Sequence, residues 1–280
     1  MATLPNQLPT LAADPAGRSL GLQLPSGALL DTTVYGSWPE PLLWRADMAA
    51  TPGDWLRSAS ARRTAGLHPV LVGGTAMGES HPDKWELNPD LSSYPGDHDP
   101  EDVLAELWEE FAEDYATDGD WPGDWPVDWA GLAAAGPLDA DPDARAAEVA
   151  DSLASDTGGT GGTVRVQEPH LALVPARRSA DIPAAIGWCG PVNHESDVAR
   201  LCAVLRSWED RFGIRVVALT FDQLVVSVAA PPENLAEAEA IAAEHFAFCP
   251  DNITQGHHNS LRAYAEHEVL GARSWSFWWD

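Results

Sequence analysis

The sequence predicts an α+β protein: a C-terminal antiparallel sheet with helices on one face, close to a split βαβ arrangement, preceded by a smaller α/β N-terminal region. Hydrophobic periodicities after residue 164 follow the order β-α-α-β-β-α-α-β. A strand–helix–strand pattern precedes them within residues 41–74. Between the two lies a stretch rich in aspartate, tryptophan, proline and glycine that fits neither period. The chain accordingly divides into residues 1–20, read as a disordered N-terminus, residues 21–118, a small α/β domain, residues 119–163, an acidic loop and linker, and residues 164–280, the C-terminal domain.

"PLLWRAD" (41–47) and "HPVLVGG" (68–74) are short apolar runs that read as buried strands. "TPGDWLRSASARRTAG" between them predicts a helix with Thr51 as N-cap and Pro52 at its first position. A right-handed crossover is the expected connection. "DPEDVLAELWEEFAEDYA" (99–116) is a stronger helix, capped by Asp99 and opened by Pro100. Val103, Leu104, Leu107, Trp108 and Phe111 line one of its faces. "DGDWPGDWPVDW" then places Trp121, Trp125 and Trp129 four residues apart, each after an aspartate. Pro122 and Pro126 exclude a regular helix there, so the indoles sit on a loop that docks into a basic, apolar groove or folds back onto the N-terminal region. The glycines of "DTGGTGGT" (156–163) read as a flexible linker, because the Lys-Ser/Thr that a phosphate loop needs does not follow them.

Beyond the linker, "VQEPHLALVPA" is a strand interrupted by Pro169 and "SADIPAAIGW" a short helix. "ESDVARLCAVLRSWEDRFG" is amphipathic, with Val198, Leu201, Leu205, Trp208 and Phe212 inward, Asn193 or Ser196 as N-cap and Gly213 as stop. "IRVVALTF" and "LVVSVAA" flank Asp222-Gln223 and predict a hairpin. Pro231 and Pro232 open a glutamate-rich helix that runs to about Phe248, and "SLRAYAEHEVL" is another helix. The terminal "WSFWWD" alternates Trp275, Phe277 and Trp279 against Ser276, Trp278 and Asp280. One aromatic face completes the core; Trp278, on the other, forms a binding platform or lies beneath a second helix layer.

With 45% hydrophobic residues and thirteen tryptophans, the chain has the means to build a core. Its formal charge is −27, and residues 81–156 hold 22 Asp and Glu against only Lys84 and Arg145, so most of the excess lies mid-chain. That balance repels nucleic-acid backbones and anionic membranes and favours a basic protein partner. Three scattered cysteines, Cys189, Cys202 and Cys249, do not make a disulfide framework and fit a reducing cytoplasm. The N-terminus has no basic region followed by an apolar run, and no stretch approaches the length of a membrane-spanning helix.

Four motifs occur in one order: "GWCGPVN" (187–193), "LRSWEDRFG" (205–213), "EHFAFCPDNITQG" (244–256) and "WSFWWD" (275–280). Together they resemble the DUF4253 family of bacterial proteins, common in actinobacteria, over roughly residues 165–280. The resemblance implies domain identity and a bacterial source. The family has no established activity, so it transfers no catalytic residue.

The densest polar cluster is "FCPDNITQGHHNS" (248–260). Much of it has a backbone role: Pro250 ends a helix, Asp251 and Asn252 form an Asx-type turn, Gly256 takes positive φ, and Asn259 or Ser260 caps the next helix. Read as chemistry, Cys249, Asp251, His257 and His258 are the catalytic candidates, since an imidazole can draw a thiol toward thiolate. His245, four residues before Cys249, gives an alternative metal set of His245, Cys249 and His257, although no familiar ligand spacing supports one and no cofactor or metal is expected. As binding residues the sequence nominates Asn193, Asp251, Asn252, Gln255 and Trp278. In "WEDRF", the adjacent Glu209 and Asp210 point about 100° apart and read with Arg211 as a solvated helix end. The preferred reading is a cytoplasmic, non-catalytic binding protein that recognises a basic partner, as an immunity protein does. The alternative is a hydrolase-type or metal-dependent enzyme using the Cys249–His258 loop.

Overall fold

Apolar runs from both halves of the chain pair into a single seven-stranded sheet. The computed structural model describes residues 5–75, 82–118, 128–155, 166–258 and 260–280. The glycine linker, Trp121, Trp125 and Asn259 lie outside the described residues. The N-terminal half contributes β1 (Gly27–Leu30), a small ribbon of β2 (Thr32–Thr33) and β3 (Gly36–Ser37), then β4 (Leu43–Ala49) and β5 (Leu67–Gly74). The C-terminal half contributes β6 (Gln167–Pro175), β7 (Arg215–Leu219), β8 (Gln223–Ser227) and β9 (Ser274–Trp278). In space the large sheet runs β1-β4-β6-β5-β7-β8-β9. Every neighbouring pair is antiparallel except β5–β7, which is parallel.

The α+β class is as predicted, but the split βαβ unit is built from other strands than expected. β4 and β5 both run antiparallel to β6 and therefore parallel to each other, with β6 inserted between them. The connection from β4 to β5 is two short helices, α2 (Asp54–Ser58) and α3 (Ala61–Ala65), rather than one. Thr51 does not cap the first; its backbone N and its hydroxyl both donate to Asp54 Oδ2. Within the C-terminal segment, β6 and β7 run in opposite directions with β5 between them, so no crossover of that kind forms there.

Helices cover both faces. On one face α4 (Pro100–Asp118), α6 (Ile182–Ile186), α7 (Val198–Phe212) and α8 (Leu235–Phe248) pack against Val70, Val174, Val216, Val226, Trp275 and Phe277. This cluster mixes side chains from both halves of the chain, Leu43, Val70 and Trp108 beside Leu201, Phe246 and Trp279. On the other face α5 (Pro142–Ala154) lies over Leu71, Val217 and Val225. The expectation of helices on one face misses α5, which sits inside the segment read as loop and linker. Asp141 caps it by accepting from the Asp143 and Ala144 amides, and Pro142 occupies its first turn. Its buried face is Ala146, Ala147, Val149 and Ala150, small side chains that approach a sheet closely but give a weak apolar signal.

Leu8, Leu11 and Leu20, within the segment read as a disordered N-terminus, pack against the sheet. Leu11 on a short helix, α1 (Thr10–Ala13), and Leu8 just before it are buried against Trp44, Leu67 and Leu173 at the far end of that second face. Burying these leucines offsets the ordering cost of a short segment.

"WEDRF" is less solvated than its sequence implies. Glu209 is mostly buried and pairs with Arg178 and Arg215, and only Asp210 is exposed. Arg211 reaches the fully buried Glu244 on α8 through two bonds of 2.7 and 2.6 Å. Glu244 also accepts from Trp208 Nε1 and from the Ala133 amide, both at 2.7 Å, so this buried carboxylate has a complete shell of donors. The arrangement ties the loop before α5 to α7 and α8. Trp129, on that loop, tilts over Trp108 at 5.8 Å between centroids. The predicted stop at Gly213 holds, with φ 62°, while the cap of α7 is Asp197, accepting from the Ala199 amide.

Candidate functional site

β9 is an edge strand, and an edge presents unpaired amides and carbonyls that must be covered. Here side chains from the end of α8 and the short helix that follows, α9 (Asp251–Thr254), take the place of a neighbouring strand. Asn252 Nδ2 donates to Ser276 O at 2.6 Å, and its Oδ1 accepts from the Trp278 amide at 3.0 Å. The Cys249 thiol donates to Trp278 O at 2.9 Å. Asp251 Oδ2 accepts from the Asp280 amide at 3.1 Å, and Asn193 Nδ2 donates to Asp280 O at 2.9 Å. Four side chains thus mimic the hydrogen-bonding row of an eighth strand.

This geometry defines what Cys249 and His245 can do. Cys249 is fully buried, and burial pushes its thiol pKa well up, so a thiolate does not form near neutral pH. His245 is equally buried, between Trp208, Trp275 and Phe277, with Nδ1 3.1 Å from the Tyr264 hydroxyl. Burial lowers its pKa to about 3, which keeps it neutral. The set His245, Cys249 and His257 is not assembled, and among the described residues no three His, Cys, Asp or Glu side chains are placed to hold a metal ion.

In front of this edge lies a cleft of about 300 Å³. Its floor is Gln223 from β8 with Ser276 and Trp278 from β9, and its walls are the Asp251–His258 loop, Tyr264 and Glu268. Tyr264 ends α10 (Leu261–Tyr264), and Glu268 lies in a π-helical turn, Ala265–Val269. Single π turns inside helical segments recur at functional sites, since they aim a side chain that a regular helix would place elsewhere. Glu268 Oε1 sits 2.9 Å from His258 Nε2, and the His258 ring stacks on His267 at 5.5 Å with 16° between planes. Gln255 Nε2 donates to Asp251 Oδ1 at 3.0 Å. Gly256 does not take positive φ, as the sequence suggested; a Cβ there would lie 2.1 Å from Asn252 O, so glycine is needed for close approach.

Residues 170–280 match the family described as Domain of unknown function (DUF4253). These residues are a DUF4253 domain. No curated protein and no solved structure matches the chain. Every cleft residue lies within the DUF4253 domain, as does the whole side-chain row along β9. Among the described residues its first strand, β6, pairs only with β4 and β5, which lie outside it. Among the described residues no helix is long and apolar enough to cross a membrane.

Of the residues nominated from sequence, the DUF4253 cleft brings together Asp251, Asn252, Gln255, His257, His258 and Trp278. Cys249 lies behind it, in the core, and Asn193 holds the chain end outside it. Trp278 is partly packed against the cluster under α5 and also lines the cleft. The sequence reading missed Gln223, Tyr264, Ser276 and Glu268. Tyr264 and Glu268 fall in a segment read as a regular helix, and the placement of Glu268 depends on the π turn that follows α10. Gln223 and Ser276 carried no signal, since their convergence depends on the β8–β9 pairing. The cleft gathers two carboxylates, three carboxamides, two hydroxyls, two imidazoles and an indole.

Proposed function

We propose that the protein is a non-catalytic binding protein that recognises a basic protein partner, in the manner of an immunity protein that neutralises its target. The observation that carries this reading is the convergence of Asp251, Glu268 and Trp278 in one open cleft on a chain of formal charge −27. The overall charge steers a basic partner, and the cleft supplies a specific contact. The alternative is a hydrolase-type or metal-dependent enzyme using the Cys249–His258 loop; its thiol-nucleophile form needs a reactive Cys249, and the burial of that residue argues against that form.

The test is affinity capture from the native host with the full chain, comparing wild type with an Asp251→Asn/Glu268→Gln variant. A basic protein recovered by wild type and lost by the variant is the expected result. Capture that yields no basic protein, or yields one equally with both baits, contradicts the reading.

A further inference from the structure

The cleft has a more specific chemistry than general acidity. Its carboxylates come from two separate elements, Asp251 on α9 and Glu268 in the π turn, and stand over a floor that includes the Trp278 indole. Gln223, on the same floor, has an enclosed Oε1 without a hydrogen-bond partner among the described residues. The Ser276 hydroxyl adds a further acceptor. A ligand matching this wall must present several N–H donors and a flat face.

The chain already shows what Glu268 accepts: the His258 ring, a planar N–H donor at 2.9 Å, backed by the stacked His267. A guanidinium has the same planar form with five donors, pairs with carboxylates through a two-pronged fork and stacks on indole. An ammonium is a compact, strongly hydrated point charge that gains less from a flat aromatic floor. The volume, about 300 Å³, suits one long side chain and not a folded segment.

We infer that this cleft is a receptor for the guanidinium group of an arginine side chain presented by the basic partner. The inference rests on the partner reading above and adds the chemistry of its anchor. His258 holds Glu268 in the free protein and yields it to the arginine.

The experiment follows the Trp278 indole N–H resonance of the full chain during titration with three probes: an acetyl-Gly-Arg-Gly-amide peptide, its lysine counterpart and free arginine. A saturable shift with the arginine peptide, about tenfold tighter than with the lysine peptide, is expected. Glu268→Gln weakens it about tenfold, while His258→Ala, which leaves no side-chain donor to compete for Glu268, binds at least as tightly as wild type. That second variant separates loss of a contact from loss of the fold. No Trp278 shift, equal binding of the lysine peptide, or indifference to Glu268→Gln overturns the inference. If one of these occurs while host capture still recovers a basic protein in a Glu268-dependent way, the partner reading stands without the arginine anchor. Binding of free arginine but not of the peptide keeps the guanidinium site, assigns it to a small molecule and overturns the partner as its source.

Discussion

Asn252 faces Trp278 as a peptide group of an adjacent strand would. Its Oδ1 accepts the Trp278 amide at 3.0 Å while its Nδ2 donates to the carbonyl two residues earlier, at 2.6 Å. A carboxamide is the only side-chain group that offers a donor and an acceptor in the geometry of a backbone amide. The most polar stretch of the sequence is therefore first a device for closing a sheet.

Asn252→Ala removes both of these bonds and leaves the Trp278 amide and Ser276 carbonyl without partners. At about 1 kcal/mol for each lost bond plus the cost of enclosed, unpaired groups, the expected loss is about 2–3 kcal/mol in denaturant-induced unfolding. The opened edge should also associate with other copies, so sedimentation should become concentration-dependent. Asn252→Asp keeps the size and still loses the donor to Ser276 O, and is expected to lose nearly as much.

Thiol titration of the native protein separates a structural Cys249 from a reactive one. Cys202 and Cys249 are buried with pKa values pushed up by burial, whereas Cys189 is partly exposed with a smaller push in the same direction. A disulfide reagent at pH 7 should modify Cys189 slowly and reach the other two only in denaturant. Rapid native modification of Cys249 would return it to the list of nucleophiles.

Stability should fall with acid in a way set by two histidines. Burial lowers the pKa of His245 to about 3, and burial with nearby Arg62 and Arg215 lowers that of His68 to about 4. Each folded value lies below the unfolded value of about 6.5, so the unfolded chain takes up these protons first. The stabilisation is complete above about pH 6.5 and is lost as pH falls toward 4 and then 3, at up to about 1.4 kcal/mol per pH unit for each histidine. His245→Phe, which suits the surrounding aromatic rings, should flatten the dependence of unfolding free energy on pH between 6.5 and 4. An unchanged slope would contradict the role given to burial of His245.

The sheet order makes the domain depend on the N-terminal half. Cutting the chain at residue 163 leaves β6 without a neighbour, because both its partners, β4 and β5, are removed. Residues 164–280 alone should be aggregated or lack near-ultraviolet circular dichroism, and co-expression with residues 1–163 should restore a soluble complex. A cooperatively folded monomer from residues 164–280 would contradict this.

Periodicity and capping residues made much of the fold legible before any coordinates. α4 starts at Pro100 with Asp99 accepting the Glu101 amide, α7 ends at Gly213, and the β7–β8 hairpin and the aromatic alternation of β9 follow the pattern. What was not legible is non-local. Nothing in β6 records that it lies between two strands about a hundred residues earlier, since apolar runs specify burial but not neighbours. α5 hid behind alanines, which are good helix formers but poor markers of a buried face. In the site, the loop residues stood out by composition, while Glu268 depended on a π turn that a regular helical reading does not contain.

The measurement closest to the centre of this account is amide hydrogen exchange at Trp278, in wild type and in Asn252→Ala. Trp279, whose amide donates inward to Asp222 O, serves as the internal reference. If Asn252 closes the sheet edge, Trp278 is protected in wild type to a degree comparable with Trp279, and the substitution speeds its exchange while sparing Trp279. Exchange of Trp278 at the rate of an unprotected amide in the wild-type protein would show that the edge is open and would contradict the structural role of the loop.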